Sequence, residues 1–294
     1  MADFIFFAIF VRYKNWIMRK KPIVALIYDF DGTLSPGNMQ EYGFIQAVGK
    51  DSSTFWRQSD DIAKGQDASN ILAYMKLMFD EARRSGISMT RDDFHRFGSQ
   101  IELFPGVKHW FSLVNEYGRS RGVVVEHYIN SSGLTEIIEG SPIAGEFCKI
   151  FASSFLFDEN GQAEWPGVAV DYTNKTQFLF KIAKGILSVR DSKQVNESIA
   201  EDKKRIPWTN MIYFGDGDTD VPCMKAVKLW GGNAIAVYNP EIPAKVETAK
   251  RLLAQNRVNF IAPTDYTVEG RAFKIVRALI DKIKADDIVR SLGR

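Results

Sequence analysis

The chain has little of several things that would narrow its class at once. It carries two cysteines in 294 residues, Cys148 and Cys223, with no C-x-x-C spacing. That excludes a disulfide framework or a zinc-binding cysteine cluster and fits a reducing cytoplasm. Formal net charge is +2 and no long Lys/Arg block occurs, so nucleic-acid binding has no electrostatic footprint. Three histidines, His95, His109 and His127, share no metal-ligand spacing, and each is read as structural. The longest apolar run, Phe4 to Val11, is too short to span a bilayer. Asp3 precedes it and Arg12, Lys14, Arg19, Lys20 and Lys21 follow it, the reverse of a signal peptide. It is read as a segment packing on the body or a partner, with a peripheral membrane contact as the alternative and no stable membrane insertion. No repeats or low-complexity tracts occur.

What is present is a hydrophobic fraction of 45%, ample for a packed core, and carboxylates at strand ends. Ile23 to Tyr28 is an unbroken apolar run bounded by Pro22 and Gly32, and Asp29-Phe30-Asp31-Gly32-Thr33 follows directly. Such a run reads as a strand buried on both faces of a parallel sheet. Two carboxylates at its end are costly to desolvate and need a cation or a proton to neutralise them. Ligands in open α/β sheets bind at the carboxyl ends of strands, so position and chemistry agree.

Five later segments have strand character: 123–129, 149–155, 211–214, 234–238 and 258–261. Helical patterns lie between several of them, including Val107, Trp110, Phe111, Val114 and Phe178, Leu179, Ile182, Ile186. This alternation predicts a doubly wound, parallel α/β domain. A β-α-β unit needs roughly 30 residues, yet about a hundred separate Asp29 from Ser131. The excess has helical periodicity through Ile71, Leu72, Met75, Met78, Phe79 and Ala82, then Gly86 as a C-cap. Thr90 with Asp93 resembles a capping box before Phe94, Phe97 and Ile101. Residues 37–105 are therefore expected to form an inserted helical cap over the carboxylates, with 1–36 and 106–294 as the core. A second insertion, 188–208, is polar and is expected at the surface.

Three more groups fall where a site belongs. Ser131-Ser132-Gly133 ends the second strand and precedes a helix pattern at Leu134, Ile137 and Ile138. Its N–H groups and hydroxyls are suited to an anion, or to a simple helix cap. Lys175 sits in or beside the first turn of a helix, where it opposes the helix dipole. It is either a solvated lysine or a partner for bound phosphate. Gly215-Asp216-Gly217-Asp218-Thr219-Asp220 follows another buried run. An EF-hand loop needs Gly sixth and usually Glu twelfth, and Val221 and Val227 stand there. Asp216 and Asp220 can both face the site, while Asp218 faces solvent or caps the turn.

In order, Asp29-Phe-Asp31-Gly-Thr33, Ser131, Lys175 and Gly215-Asp216-x-x-x-Asp220 resemble the four motifs of the haloacid dehalogenase-like (HAD) superfamily. The cap's place after the first motif is similar to that in its C1-capped members, the phosphoserine phosphatase-like branch. The resemblance implies a Rossmann-like core and a Mg2+-dependent phosphatase. Asp29 would be the nucleophile, forming an aspartyl-phosphate, and Asp31 the general acid and base. Asp29, Asp216 and the backbone carbonyl of Asp31 would hold Mg2+. Ser131, Ser132, Gly133 and Lys175 would hold the phosphoryl group, and Asp220 would orient Lys175 or a metal-bound water. The family's dehalogenases lack the second acid and its P-type ATPases carry Thr there, so Asp31 points to phosphate-ester hydrolysis. Phosphoserine phosphatases carry Glu nine residues after the nucleophile and Asn within the last motif. Asn38 and Thr219 stand at those positions, and both departures point away from phosphoserine. A small phosphorylated metabolite is the expected substrate. Arg57, Arg83 and Arg84 are candidates to read it or are part of a solvated face. The alternatives are phosphoryl transfer to another acceptor, a macromolecular substrate, and a non-catalytic metal- or phosphate-binding module.

Overall fold

The computed structural model describes residues 21–293; the apolar N-terminal segment lies outside them. Seven strands form one sheet in the order β4-β3-β2-β1-β5-β6-β7. They are β1 (Ile23–Tyr28), β2 (Val124–Leu134), β3 (Lys149–Phe157), β4 (Ala163–Val168), β5 (Met211–Gly215), β6 (Asn233–Tyr238) and β7 (Phe260–Pro263). All neighbours pair in parallel except β3 and β4. The α/β class holds, with one antiparallel edge strand added. β4 reads Ala-Glu-Trp-Pro-Gly-Val and is mostly exposed, so it has no buried periodicity to find. Its Pro166 is tolerated because the strand is an edge. β7 begins two residues later than expected, and the Asn259 side chain before it accepts from Ala234 N at 2.9 Å.

The central strand shows why the sheet forms. Ile23–Tyr28 alternates between two separate apolar clusters. Val24, Leu26 and Tyr28 face Trp110, Phe111 and Val114 of α5 (Val107–Ser120). Ala25 and Ile27 face Phe178, Leu179 and Ile182 of α7 (Lys175–Lys184), and Met224 and Val227 of α9 (Val221–Leu229). Strand side chains alternate between faces, so a continuous apolar run is needed where both faces are covered. Each buried Leu, Ile or Phe contributes roughly 1.5–3 kcal/mol. His127 belongs to this interior: Nδ1 lies 3.0 Å from Tyr28 OH and Nε2 lies 3.1 Å from Asn115 Oδ1. Burial pushes its pKa down to about 3, so it is a neutral structural residue.

Between β1 and α5 stand α1 (Phe44–Ala47), α2 (Ser52–Gln66), α3 (Asn70–Ser85) and α4 (Arg91–Gly98). α3 ends at Gly86 in the left-handed conformation, and Thr90 with Asp93 forms the reciprocal capping box of α4. α4 packs on the short α6 (Thr135–Glu139). In the second insertion, a short α8 (Lys193–Asn196) and its flanks are largely exposed. Its end is not at the surface as expected: Ile206 and Trp208 are buried in the second apolar cluster. α10 (Pro243–Ala254) and α11 (Arg271–Leu292) complete the helices. Among the described residues no helix is long and apolar enough to cross a membrane.

Candidate active site

β1 lies where the chain turns from building one half of the sheet to building the other, the switch point at which open α/β sheets form a crevice. Asp29 is the first residue past β1, and its N–H donates to Phe214 O of β5 at 2.9 Å. Its Oδ1 accepts from Phe30 N at 2.8 Å, and its Oδ2 lies 3.1 Å from Lys175 Nζ. Asp31 turns across the loop, and its Oδ1 accepts from Met39 N at 3.0 Å. Gly32, at φ +71°, permits this loop. A Cβ there would also come within 2.3 Å of Asp216 Oδ2.

From the neighbouring strand, Asp216 and Asp220 enter the same crevice. Asp220 is fully buried and its acceptors are spoken for. Lys175 Nζ donates to Oδ1 at 2.9 Å, Tyr213 OH donates to Oδ1 at 2.8 Å, and Asp216 N donates to Oδ2 at 3.2 Å. Asp218 points outward and pairs with Arg251 at 2.9 Å. Lys175 is the first residue of α7, as its sequence position predicts, and is buried between Asp29 and Asp220. Burial opposes its charge, but the two carboxylates outweigh burial and raise its pKa above the ordinary lysine value.

The acids are short of positive charge. Burial, then the charge of Asp220, pushes Asp29 up to about 7 even with Lys175 beside it. Asp31 is raised well above the usual carboxylate range by burial and by Asp29. Asp216 is raised by burial and by Asp220. Four carboxylates, Asp29, Asp31, Asp216 and Asp220, face two ammonium groups, Lys175 and Lys245. Negative charge is left over even with Asp31 protonated, and a bound cation would neutralise it. Carboxylate oxygens of Asp29, Asp216 and Asp220 lie within 4.8 Å of one another. An all-oxygen donor set of this kind fits Mg2+, and because Asp220 is already engaged, Asp29 and Asp216 are the better-placed donors.

The Ser131–Gly133 segment is followed by the expected helix, α6 from Thr135, but β2 continues further than expected, through Leu134. Met39 holds the chain extended, its thioether sulfur accepting from Leu134 N at 3.0 Å. A Cβ at 133 would come within 2.0 Å of Met39 Cε, so a side chain there would have to push the Met39 thioether aside. Ser131 is buried and its Oγ accepts from Gly133 N at 3.1 Å, so it keeps its own O–H to donate. Ser132 lines the crevice, and its carbonyl accepts from Tyr74 OH at 2.8 Å and Ser153 Oγ at 3.1 Å.

A cavity of about 690 Å³ lies against Asp29, Asp31, Asp216 and Ser132, and a second of about 300 Å³ continues from Asp31 and Ser132 beneath α2 and α3. Asn38, Asn70 and Ile71 border both. The arginines considered from sequence do not border either: Arg57 and Arg83 are exposed, and Arg84 pairs with Glu81. Lys245, Tyr213 and Met39 carry no motif. Lys245 comes from α10, and its ion pair with Asp216 has no counterpart in local spacing.

The haloacid dehalogenase-like hydrolase family profile matches residues 26–225, most of the chain. An uncharacterized protein of Borreliella burgdorferi is 28% identical over 291 residues, spanning 90% of this chain and 98% of the relative. Among solved structures, a HAD family hydrolase from Salmonella enterica serovar Typhi aligns with TM-score 0.54 at 16% identity, covering 82% of this chain and 67% of that one. A substrate-bound phosphoserine phosphatase aligns with TM-score 0.50 at 16% identity, covering 83% and 93%. At these identities the structures establish likeness of fold. The chain belongs to the haloacid dehalogenase-like hydrolases, and its fold is that of the phosphoserine phosphatase-like branch.

Proposed function

We propose that this enzyme is a Mg2+-dependent phosphatase that hydrolyses a small organic phosphomonoester through an aspartyl-phosphate. One observation carries the reading. Asp29 sits at the switch-point strand end with one oxygen on Lys175, while Asp31 stands beside it on the cavity wall. Asp29 attacks phosphorus as the bond to the leaving oxygen breaks, and Asp31 gives that oxygen its proton. The raised pKa of Asp31 suits it to hold a proton for that purpose. Water then attacks the phosphoryl-aspartate and passes a proton to Asp31, and inorganic phosphate leaves. Lys175 and the O–H of Ser131, with Ser132 and Gly133, hold the phosphoryl oxygens. Asp220 is a positioning residue, fixing Lys175 through its 2.9 Å contact. Asp29, Asp216 and the backbone carbonyl of Asp31 would hold Mg2+, which would supply the positive charge that the acids lack.

Residues 37–105 act as the cap and 1–36 with 106–294 as the catalytic core. The cap restricts entry, which favours a small metabolite over a macromolecule. The deciding experiment is hydrolysis of a generic aryl phosphate. It should require Mg2+, be lost on chelation, and be abolished by Asp29→Asn. Activity that survives either change would refute the mechanism.

A further inference from the structure

The smaller cavity shares Asp31, Asn38, Asn70, Ile71 and Ser132 with the larger one that holds Asp29, so a leaving group on a phosphoryl at Asp29 can extend into it. Its wall holds an unmet hydrogen-bonding group. Gln40 is 2% exposed, borders the cavity, and its Oε1 has no hydrogen-bond partner. A buried acceptor left unpaired costs about 1–3 kcal/mol, and such groups are rare in native proteins without cause. A donor on the bound substrate is a sufficient cause. Around it stand neutral polar side chains, Asn38, Ser59 and Asn70. Two aromatic rings complete the wall, with their polar tips engaged elsewhere. Trp56 Nε1 donates to Glu41 at 2.7 Å and Tyr74 OH donates to Ser132 O at 2.8 Å, so both offer apolar ring surface.

The charges narrow the class. No Lys or Arg borders this cavity among the described residues, so a carboxylate or a second phosphate would go unpaired. Apart from Asp31, the acid on its wall is Asp60, which already pairs with Lys64. An ammonium group would therefore find no unpaired acid on this wall other than Asp31. Hydroxyls both donate and accept, and a carbon skeleton bearing them suits a wall of amides, a serine and ring faces. We infer that the leaving group is a small uncharged polyol or monosaccharide, with Gln40 as a specificity-determining residue. This rests on the phosphatase reading above. The cavity of about 300 Å³ is at the small end for ligand sites.

The test compares kcat/KM of the Mg2+-loaded enzyme for glycerol phosphate and hexose phosphates with that for phosphoserine and phosphoethanolamine, alongside an aryl phosphate. At least one polyol or sugar phosphate should exceed both charged-alcohol esters by about tenfold or more. In Gln40→Met, the ratio of kcat/KM for that ester to kcat/KM for the aryl phosphate should fall about tenfold, the worth of one neutral hydrogen bond, mainly through KM. Preference for phosphoserine or phosphoethanolamine in the wild type, or an unchanged ratio in a Gln40→Met protein that melts normally, overturns the inference alone. Absence of aryl phosphate hydrolysis overturns the phosphatase reading and takes this inference with it.

Discussion

Lys175 shows how one side chain couples the site to the fold. It is buried with Asp29 at 3.1 Å and Asp220 at 2.9 Å. Removing one member of a buried ion pair typically costs 3–5 kcal/mol because the partner's charge is left uncompensated. Lys175→Met should therefore lower stability by about that amount in urea titrations and reduce kcat by about a hundredfold or more. Adding Asp220→Asn to it should recover part of the stability, since one stranded charge is gone, and none of the activity. A double variant that regained activity would show that Lys175 is not needed for phosphoryl binding.

At the scale of elements, α6 is docked by a buried acid. Glu136 is fully buried, accepts from Phe155 N of β3 at 3.1 Å, and leaves Oε2 unpartnered. Burial raises its pKa to about 7. Arg91 stands 4.0 Å away but is half exposed, too solvated to offset the desolvation. A carboxyl whose folded pKa is raised favours the fold while protonated, and that stability is lost as pH rises from about 4.5 toward 7. Glu136→Gln cannot ionise. Its melting temperature should match wild type near pH 5 and exceed it near pH 8, by a stability difference of at most about 3 kcal/mol. Parallel melting curves across that range would remove Glu136 as the cause.

On the scale of the whole molecule, residues 37–105 and the sheet layer are not separately packed. One apolar cluster runs from Phe44, Phe55 and Met78 of the insertion to Leu26, Tyr28 and Trp110 of the sheet layer. Calorimetry should show a single unfolding transition for the full chain. Mg2+ at about a hundredfold its Kd should raise stability by roughly 2.7 kcal/mol, and the Asp216→Asn protein should lose that gain. Two resolved transitions would show that the insertion folds on its own.

Much of this was legible along the chain because β1 is buried on both faces and must be apolar throughout, so the acids that end it stand out. Asp29, Asp31, Lys175, Asp216 and Asp220 could each be placed at a strand end or helix start from neighbouring residues alone. The α3 C-cap at Gly86 and the Thr90–Asp93 capping box were equally local, since both span a few residues. β4 was not legible, because an exposed edge strand needs no apolar alternation. The helix expected after Ser131–Gly133 forms at Thr135, but the strand before it runs on through Leu134, whose N–H is met by Met39 from ninety-five residues earlier in the chain. The sequence by itself determined the charge problem at the strand ends and the order of the motifs. Only the tertiary structure decided its remaining partner, Lys245, and brought Gln40 to the neighbouring cavity wall. They arrive from other elements, and no local spacing encodes contacts made across the crevice.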